Sequence, residues 1–300
     1  MKRDTRHVPV LLEDVLRVLD PRPGQVIVDC TLGLGGHSRA ILERLGPTGK
    51  LIAIDFDPMN IALARQRLQG IGSNFELFHN NFAALPTILA QVGAGKVHGV
   101  LADLGVASPQ IDDPERGFSY RRHGPLDMRM DPTRGQPASA LINRLSEREL
   151  AEAFLELGDE TDAPRIAELI VERRQANPIT MTEQLTSIIC EARDFTLARA
   201  AGAKLHPAAR TFQALRILVN REMANLDRLL RVLPDCLAPG GAAAIISFHS
   251  GEDRRTKSAF REGLAAGIYR AISPDPIIAD EAEQRLNPRS RSAKMRWATM

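Results

Sequence analysis

The sequence predicts an α/β protein in which a doubly wound, largely parallel sheet is interrupted by an inserted helical domain. Three observations indicate this fold. Apolar strand patterns alternate with helical patterns up to residue 110, the alternation stops over 111–210, and it resumes from residue 211. Strands on both sides of such an insertion can complete one sheet, so we expect a domain formed by 1–110 and 211–300 and an inserted helical domain at 111–210.

The first half of the chain supplies four predicted strands. Residues 26–57 contain the strand VIVDC, the glycine-rich turn TLGLGGHS, the helix RAILERLG and the strand KLIAIDFD, and Gly46 and Pro47 are expected to end that helix. Pro58 opens the next helix. A third strand (NFELFHN), a third helix (FAALPTILAQV) and a fourth strand (VHGVLADLGVAS) follow, and this βαβ order predicts parallel strands covered on both faces.

The second half begins with a turn-rich segment, DDPERGFSYRRHGPLDMRMDPTRGQP, and continues with helical patterns. If the DMRMD stretch is extended, Asp127, Arg129 and Asp131 share one side and Met128 and Met130 the other, as in a half-buried edge strand. Beyond the insertion, RTFQALRILVNREMANLDRLLRVLPDCLAPGG predicts one long amphipathic helix with a Pro-Gly-Gly stop. AAAIISFHS then predicts another buried strand.

The composition is that of an ordinary globular enzyme. The 300 residues are 44% hydrophobic and 25% charged, with a net charge of only +2, so any nucleic-acid surface must be local. Cys30, Cys190 and Cys236 are far apart and form no CxxC pair, which argues against disulfides and metal sites. No signal-peptide or membrane-spanning pattern occurs, so we expect a cytoplasmic protein.

Three aspartates mark the carboxyl ends of predicted neighbouring strands: Asp29, Asp55 and Asp103. Ligands of a doubly wound sheet bind beyond those ends, and glycines in the turn after the first strand let backbone N–H groups approach a ligand. Asp55 is placed to accept hydrogen bonds from the ribose hydroxyls of a nucleotide. A tight strand-to-helix connection without a ligand explains the glycines equally well.

The charge of the turn distinguishes two cofactors that carry this ribose. Asp29, directly before the turn, would repel the pyrophosphate of NAD but suit the sulfonium and ammonium groups of S-adenosylmethionine. This favours a methyltransferase over an NAD-dependent oxidoreductase. The alternative for Asp29 is an acid that only caps the turn.

Several motifs together resemble the ribosomal RNA small subunit methyltransferase H family, also called MraW. They are HVPVLLEDVL, DCTLGLGGHS, AIDFDP, LADLGVASPQID, ERGFSYRRHGPLDMRMDPTRGQ, HPAARTFQALRILVN and LAPGGAAAIISFHSGEDR, and they span nearly the whole chain. Two side chains depart from the family pattern, which usually has Ser where this chain has Ala107 and Leu where it has Gly251.

The resemblance implies N4-methylation of a cytidine in the decoding region of small-subunit (16S) ribosomal RNA, with S-adenosylmethionine as methyl donor and a Rossmann-like fold. The RNA would be presented in an assembled or assembling small subunit, and a homodimer is one open oligomeric state. The matching motifs assign cofactor contacts to seven residues: Gly35, Gly36, His37, Asp55, Phe82, Asp103 and Gln110.

Methylating an exocyclic amine requires a group that orients the nitrogen and a group that accepts a proton. Asp103 is our candidate catalytic residue, and the alternatives are that it only holds the cofactor or caps the strand end. His249 and Ser250, after the AAAIISF strand, are expected to face the same crevice and to help seat the base, or to serve the turn alone.

Two segments have compositions suited to RNA. The insertion's entry segment contains Phe118, Tyr120, Arg121, Arg122 and Arg129, which could stack on bases and contact phosphates. The basic stretch near the end of the chain contains Arg285, Arg289, Arg291, Lys294 and Arg296. A solvated basic surface is the alternative for that stretch, and a non-catalytic ribosome-assembly factor that binds RNA is the alternative for the protein.

Overall fold

The computed structural model describes residues 9–72, 74–203 and 205–300. His7 and Val8 of the HVPVLLEDVL motif, like the rest of the first eight residues of the predicted 1–110 segment, lie outside the described residues. The backbone divides into two compact units: the first comprises the chain up to Gly105 together with Met223–Met300, and the second is Val106–Glu222. The predicted insertion, 111–210, falls inside the second unit, which extends beyond it at both ends.

Helices and strands follow one another through the first unit, then the second, then the first again. The first stretch contains α1 (Leu12–Leu19), β1 (Val26–Asp29), α2 (Gly36–Leu45), β2 (Lys50–Asp55), α3 (Pro58–Gln69), β3 (Phe75–His79), α4 (Leu85–Gln91) and β4 (Val97–Asp103). The second unit contains α5 (Ser108–Asp112), α6 (Ala138–Arg144), α7 (Glu147–Gly158), α8 (Ala163–Ala176), α9 (Thr182–Ala192), α10 (Leu197–Ala201) and α11 (Ala209–Asn220). The last stretch contains α12 (Glu222–Cys236), β5 (Leu237–Ser247), α13 (Ser250–Ala265), β6 (Ala271–Ile272), α14 (Glu281–Leu286) and β7 (Lys294–Thr299).

The first unit is built on a seven-stranded sheet in the order β3-β2-β1-β4-β5-β7-β6. Strands β1 to β5 are parallel, and β7 runs antiparallel to both β5 and β6. The chain leaves β1 toward β2 and β3 and returns beside β1 with β4, so the strand order reverses between β1 and β4. This reversal opens a crevice at the carboxyl ends of the strands. The expected Rossmann-like α/β fold with a helical insertion is confirmed.

Both faces of the sheet are covered, which explains why its strands are apolar throughout. Successive residues of one strand enter different cores: Ile52 and Ile54 pack in one cluster with α4 and α12, whereas Leu51 and Ala53 pack in the other with α1 and α2. This alternation is the period-two geometry of a strand between two helical layers. The second unit has its own core, in which Phe154, Ile166 and Phe212 are buried.

Two predicted boundaries are wrong. The long helix expected from residue 210 onward is broken at Arg221, whose left-handed backbone (φ 52°) lets its N–H bond the carbonyls of Ile217 and Leu218 and end α11. Neither glycine nor proline signals this break. The Pro-Gly-Gly stop, Pro239 to Gly241, instead lies inside β5, where the pairing register with β4 shifts. In the described parts of the chain, no helix combines the length and apolarity needed to cross a membrane.

Candidate active site

The site lies at the carboxyl ends of four neighbouring parallel strands. Asp29 ends β1, Asp55 ends β2 and Asp103 ends β4, while the turn Phe248–His249 follows β5. These ends share one edge of the sheet because the strands are parallel neighbours. Asp29, Asp55 and Glu252, which lies in the first turn of α13, contribute three buried carboxylates to this edge. The side chain of Asp103 adds a fourth carboxylate that is only partly buried, being 24% exposed. The edge is therefore strongly acidic.

The turn between β1 and α2 is shaped by its glycines. Gly33 and Gly35 have positive φ angles of 51° and 79°, which favour glycine. A Cβ at Gly35 would meet the Cβ of Ala64 at 3.3 Å, and one at Gly36 would come within 2.6 Å of Cγ of Pro9. The turn therefore has no space for a side chain at Gly35 and Gly36, and the backbone of these two residues forms its surface there.

Asp55 fixes that turn to β2. Its Oδ2 accepts a hydrogen bond from the N–H of Gly33 at 2.7 Å, and its Oδ1 accepts one from the N–H of Asp57 at 2.7 Å. The side-chain amide of Asn60 lies 3.3 Å from both oxygens. Burial raises the pKa of Asp55 to about 6, although these hydrogen bonds lower it. Asp55 is thus a rigid part of the turn, with little of its carboxylate left to solvent.

Asp29, at the end of β1, also holds this turn through hydrogen bonds. Its Oδ1 accepts from the N–H of Thr31 at 3.1 Å and its Oδ2 from the hydroxyl of Ser38 at 2.7 Å. Burial is also the main cause of the raised pKa of this carboxyl. Both oxygens have partners within the protein, which supports the capping alternative for Asp29. Its negative charge still acts on the neighbouring groups.

Asp103 differs from the other two aspartates because one of its oxygens is free of hydrogen bonds. Its N–H donates to Oγ1 of Thr31 at 2.6 Å, and its Oδ2 lies 3.7 Å from Nδ1 of His37. Its Oδ1 is buried and has no hydrogen-bond partner among the described residues. A buried acceptor of this kind is costly unless a ligand donates to it. Burial raises the pKa of Asp103 to about 6, His37 lowers it, and Asp29 and Glu252 raise it further.

His37 is oriented by the backbone of the segment before α1. Its Nε2 lies 2.9 Å from the carbonyl oxygen of Val10, which can only accept, so Nε2 carries the hydrogen. Its Nδ1 therefore faces Asp103, and it is a bare acceptor when the ring is neutral. His37 is 6% exposed, so this arrangement is shielded from solvent.

The turn after β5 contains a histidine–glutamate pair, of which the sequence analysis identifies only the histidine. Glu252 accepts a hydrogen bond from the N–H of Phe248 through Oε2 at 2.8 Å, and its Oε1 lies 3.3 Å from Nε2 of His249. His249 was a candidate and Glu252 was not. A glutamate three residues after a helix-preceding residue is a capping signal, and that spacing could have identified it.

The remaining assigned residues lie at different places. Phe82 follows β3 in a short 3-10 turn and packs against the core on one face of the sheet. Gln110 lies in α5 of the second unit, where its side-chain oxygen accepts from the N–H of Ala107 at 2.8 Å. The roles of both residues stay predictions.

The proposed stacking role of the insertion's entry segment is wrong for its aromatic residues. Phe118 is buried in the core of the second unit, and Tyr120 stacks on His206 with ring centroids 4.5 Å apart. The extended arrangement considered for 127–131, including its alternative as a half-buried edge strand, is also absent, because Met128 has a left-handed backbone (φ 62°) that breaks the alternation. Arg129 pairs with Asp127 beside it and is mostly buried. Arg121 and Arg122 are exposed and form a basic surface of this segment, although Arg122 also pairs with Asp112 at 3.3 Å.

The basic stretch near the end of the chain is not a simple exposed surface either. Lys294 and Arg296 belong to β7, and Arg296 is 5% exposed and bonded to Asp253 of α13 at 2.6 Å. Arg285 pairs with Glu281 on α14. Of the five basic residues, Arg296 therefore has a structural role and cannot contact RNA.

The sequence matches known proteins over almost its whole length. The family model described as the MraW methylase family matches residues 4–300. A protein of Acidobacterium capsulatum named ribosomal RNA small subunit methyltransferase H is 44% identical, over 99% of each chain. Proteins of the same name from Halorhodospira halophila and Heliobacterium modesticaldum are 46% and 42% identical, over 98% and 97% of this chain and 94% and 97% of theirs.

Proposed function

Because this chain belongs to the MraW methylase family, we propose that it transfers a methyl group from S-adenosylmethionine to N4 of one cytidine in the decoding region of small-subunit ribosomal RNA. The relatives' names support a methyltransferase that acts on small-subunit ribosomal RNA. The finer target, N4 of a decoding-region cytidine, is the part that comes from the sequence motifs. The observation that carries the choice of cofactor is the acidic strand edge with its free acceptor, Oδ1 of Asp103.

The residues present fit this methyl donor. A sulfonium ion and an α-ammonium group are both cationic, and the edge offers the carboxylates of Asp29, Asp55, Asp103 and Glu252. An ammonium group that donates to Asp103 Oδ1 would satisfy a buried acceptor that otherwise has no partner. A pyrophosphate placed here would face like charge, which weighs against an NAD-dependent oxidoreductase.

Each assigned residue then has a defined task. The glycines at 35 and 36 present backbone without side chains, and Asp55 keeps the turn in place and is the assigned contact for the ribose. His37 and Asp103 hold the cationic end of the donor. Phe82 is assigned to the adenine, and Gln110, in the second unit, stays an assignment from the motifs alone. When bound, S-adenosylmethionine supplies a methyl group whose bond to sulfur breaks with both electrons remaining on sulfur.

The substrate sets the remaining requirements. The lone pair of cytosine's exocyclic amine is delocalised into the ring, so the protein must align that nitrogen with the methyl carbon and provide a proton acceptor. The base must also be unstacked, which costs less in a single-stranded RNA segment than in a duplex. The exposed Arg121 and Arg122 are suited to phosphate contacts in such a segment.

The test is methyl transfer from labelled S-adenosylmethionine to small ribosomal subunits that lack the modification, with the matching protein-free RNA as a second substrate. Label at N4 of a single decoding-region cytidine is expected. Transfer to the subunit but not to the free RNA would support an assembled or assembling substrate. Label on another atom or nucleotide would overturn the assigned target.

Calorimetry separates the alternatives. Binding of S-adenosylhomocysteine and not of NADH is expected, and binding of NADH alone would favour the oxidoreductase. RNA binding without methyl transfer would favour the non-catalytic assembly factor. The homodimer and the cytoplasmic location stay predictions that these experiments do not address.

A further inference from the structure

We propose that His249 accepts the proton released from the target amine and that Glu252 is its positioning residue. This inference rests on the proposed methyl transfer to an exocyclic amine. The role of proton acceptor then belongs to a residue of the turn after β5, and the role of Asp103 is to bind the cationic donor. Both residues belong to the first unit and lie at the same strand edge as Asp103.

Glu252 is held in one orientation. Its Oε2 accepts a hydrogen bond from the N–H of Phe248 at 2.8 Å, and the residue is 1% exposed in the first turn of α13. The second oxygen, Oε1, then points at the imidazole, 3.3 Å from Nε2 of His249. A buried carboxylate with one oxygen fixed by the backbone and the other beside a histidine is suited to orient the ring and to stabilise its charged form.

His249 has one shielded nitrogen and one that is free to act. Nε2 is buried and lies at ion-pair distance from Glu252, but it is not aligned for a hydrogen bond. Hydrogen bonds of catalytic groups are often poorly aligned before substrate binds. Gly251 gives the ring space to turn, because a Cβ there would lie 3.2 Å from Nδ1. A hydrogen on Nε2, facing Glu252, leaves Nδ1 as the proton acceptor.

The charges around the pair are mixed. Arg255 of α13 donates to the carbonyl of Gly251 at 3.3 Å and also pairs with Asp227 of α12. Glu252 also acts on Asp103 at the end of β4, whose pKa it raises. Asp29 raises the pKa of Asp103 as well, and His37 lowers it. An imidazolium formed at His249 during the reaction would face the carboxylate of Glu252, 3.3 Å from Nε2.

The proton balance is simple. The amine nitrogen forms a bond to the methyl carbon as the carbon–sulfur bond breaks, and it then carries one proton too many. Nδ1 of His249 takes that proton, which gives the neutral methylated amine and an imidazolium facing Glu252. Solvent removes the proton from His249 after the product leaves.

The experiment compares His249→Gln, Glu252→Gln and the double variant with the unaltered protein in single-turnover methyl transfer to unmodified small subunits. Glu262→Gln is the matched control, since Glu262 lies on the same helix and is exposed. Among the described residues, its side chain accepts a hydrogen bond only from the hydroxyl of Ser258. The pH dependence of the rate, the Kd for S-adenosylhomocysteine and the melting temperature are measured for each protein.

We expect His249→Gln to slow methyl transfer by about 10²-fold or more and Glu252→Gln by about 10-fold, within the usual range for proton transfer by a positioned group. With S-adenosylmethionine saturating at every pH, so that donor binding does not limit the rate, the fall in rate on the acid side should be smaller in His249→Gln than in the unaltered protein. The double variant should be no slower than His249→Gln, because residues that act as a unit are not additive. The Kd for S-adenosylhomocysteine should stay within about twofold of the unaltered protein in His249→Gln, since a lost proton acceptor does not weaken cofactor binding.

Three results would overturn the inference. A His249→Gln protein that transfers methyl at the normal rate has lost no proton acceptor. An unchanged pH profile, or losses that track a lower melting temperature and add in the double variant, would mean that the pair only stabilises the turn. If the unaltered protein binds S-adenosylhomocysteine but methylates no RNA, the proposed function itself fails, and this inference falls with it.

Discussion

The turns after β1 and after β5 lie at the same edge of the sheet, and both contain a buried carboxylate. They differ in how completely their buried polar groups are hydrogen-bonded. In the first turn, Asp55 and Asp29 have protein partners on both oxygens. In the second, Nε2 of His249 is buried without a hydrogen bond, as is Oδ1 of the neighbouring Asp103. Full hydrogen bonding makes a rigid cradle, whereas buried groups without partners are typical of sites that await a ligand. In the proposed function, the first turn fixes the backbone against which the cofactor lies, and the two groups without partners are assigned to the donor's ammonium group and to the target amine.

The largest effect is expected from removing the ion pair that anchors the second turn. Arg296 of β7 bonds Asp253, the residue after Glu252, and both side chains are mostly buried. Arg296→Ala should lower the free energy of unfolding by about 3 kcal/mol, because it leaves the carboxylate of Asp253 without its cation. Denaturant unfolding measures this. Arg289→Ala, at an exposed position, is the control, and an equal loss in both variants would contradict the structural role of Arg296.

The corresponding change in the first turn should act on binding. Asp55→Ala leaves the N–H groups of Gly33 and Asp57 without their acceptor, at about 1–3 kcal/mol for each buried donor. We expect the Kd for S-adenosylhomocysteine to rise about 100-fold, since the cradle loses its shape. Calorimetry measures the Kd. The Asp55→Asn variant keeps one acceptor oxygen, so its Kd should lie between that of the unaltered protein and that of Asp55→Ala. A normal Kd for Asp55→Ala would show that the turn does not depend on this carboxylate.

The sequence predicts the features of these turns that depend on neighbouring residues, and it misses those that depend on contacts between residues far apart in the chain. The βαβ order, Gly46 and Pro58 follow from patterns within a few residues, and the structure confirms them. The sequence predicts the β1 turn because its glycines follow closely on Asp29, and because Asp55 ends the second strand of the same βαβ unit. The residues of strand β7 resemble an exposed basic stretch in the sequence, because the acid that pairs with Arg296 is Asp253, 43 residues away. Phe118 and Tyr120 resemble RNA contacts for a similar reason, since Tyr120 packs against His206 and Phe212, more than 80 residues away in the sequence, and Phe118 lies in the same core.

The acidic edge should make donor binding depend on pH. Asp55 and Asp103 both have a pKa raised to about 6, so both become protonated as the pH falls through that value. Affinity for the cationic S-adenosylmethionine should then fall by up to about tenfold per pH unit for each carboxylate that must be charged. Calorimetry between pH 7.5 and pH 5 would test this, with S-adenosylhomocysteine, which lacks the sulfonium charge, as the less sensitive control. Equal affinities at both pH values would contradict the electrostatic basis of the site.

The stability of the ligand-free protein should change in the opposite direction. A carboxyl group whose folded-state pKa is raised contributes to the free energy of unfolding fully below its ordinary value of 3.8, and this contribution is lost as the pH rises through about 6. The two carboxylates thus reduce stability at neutral pH, where they favour binding of the donor. Such a conflict between stability and function is common in functional sites.

Asp103→Asn isolates this conflict at one residue and should give the smallest effects. The amide removes a buried charge, and its N–H can donate to the bare Nδ1 of His37, 3.7 Å from Oδ2 of Asp103 in the native protein. We expect the ligand-free protein to gain about 1 kcal/mol in stability near neutral pH, the typical net contribution of one added hydrogen bond, here the one from the amide to His37. Affinity for S-adenosylmethionine should fall about tenfold, equivalent to one lost charge-assisted hydrogen bond. Differential scanning calorimetry and titration calorimetry measure the two effects, and a variant that is both less stable and normal in binding would place the conflict elsewhere on the strand edge.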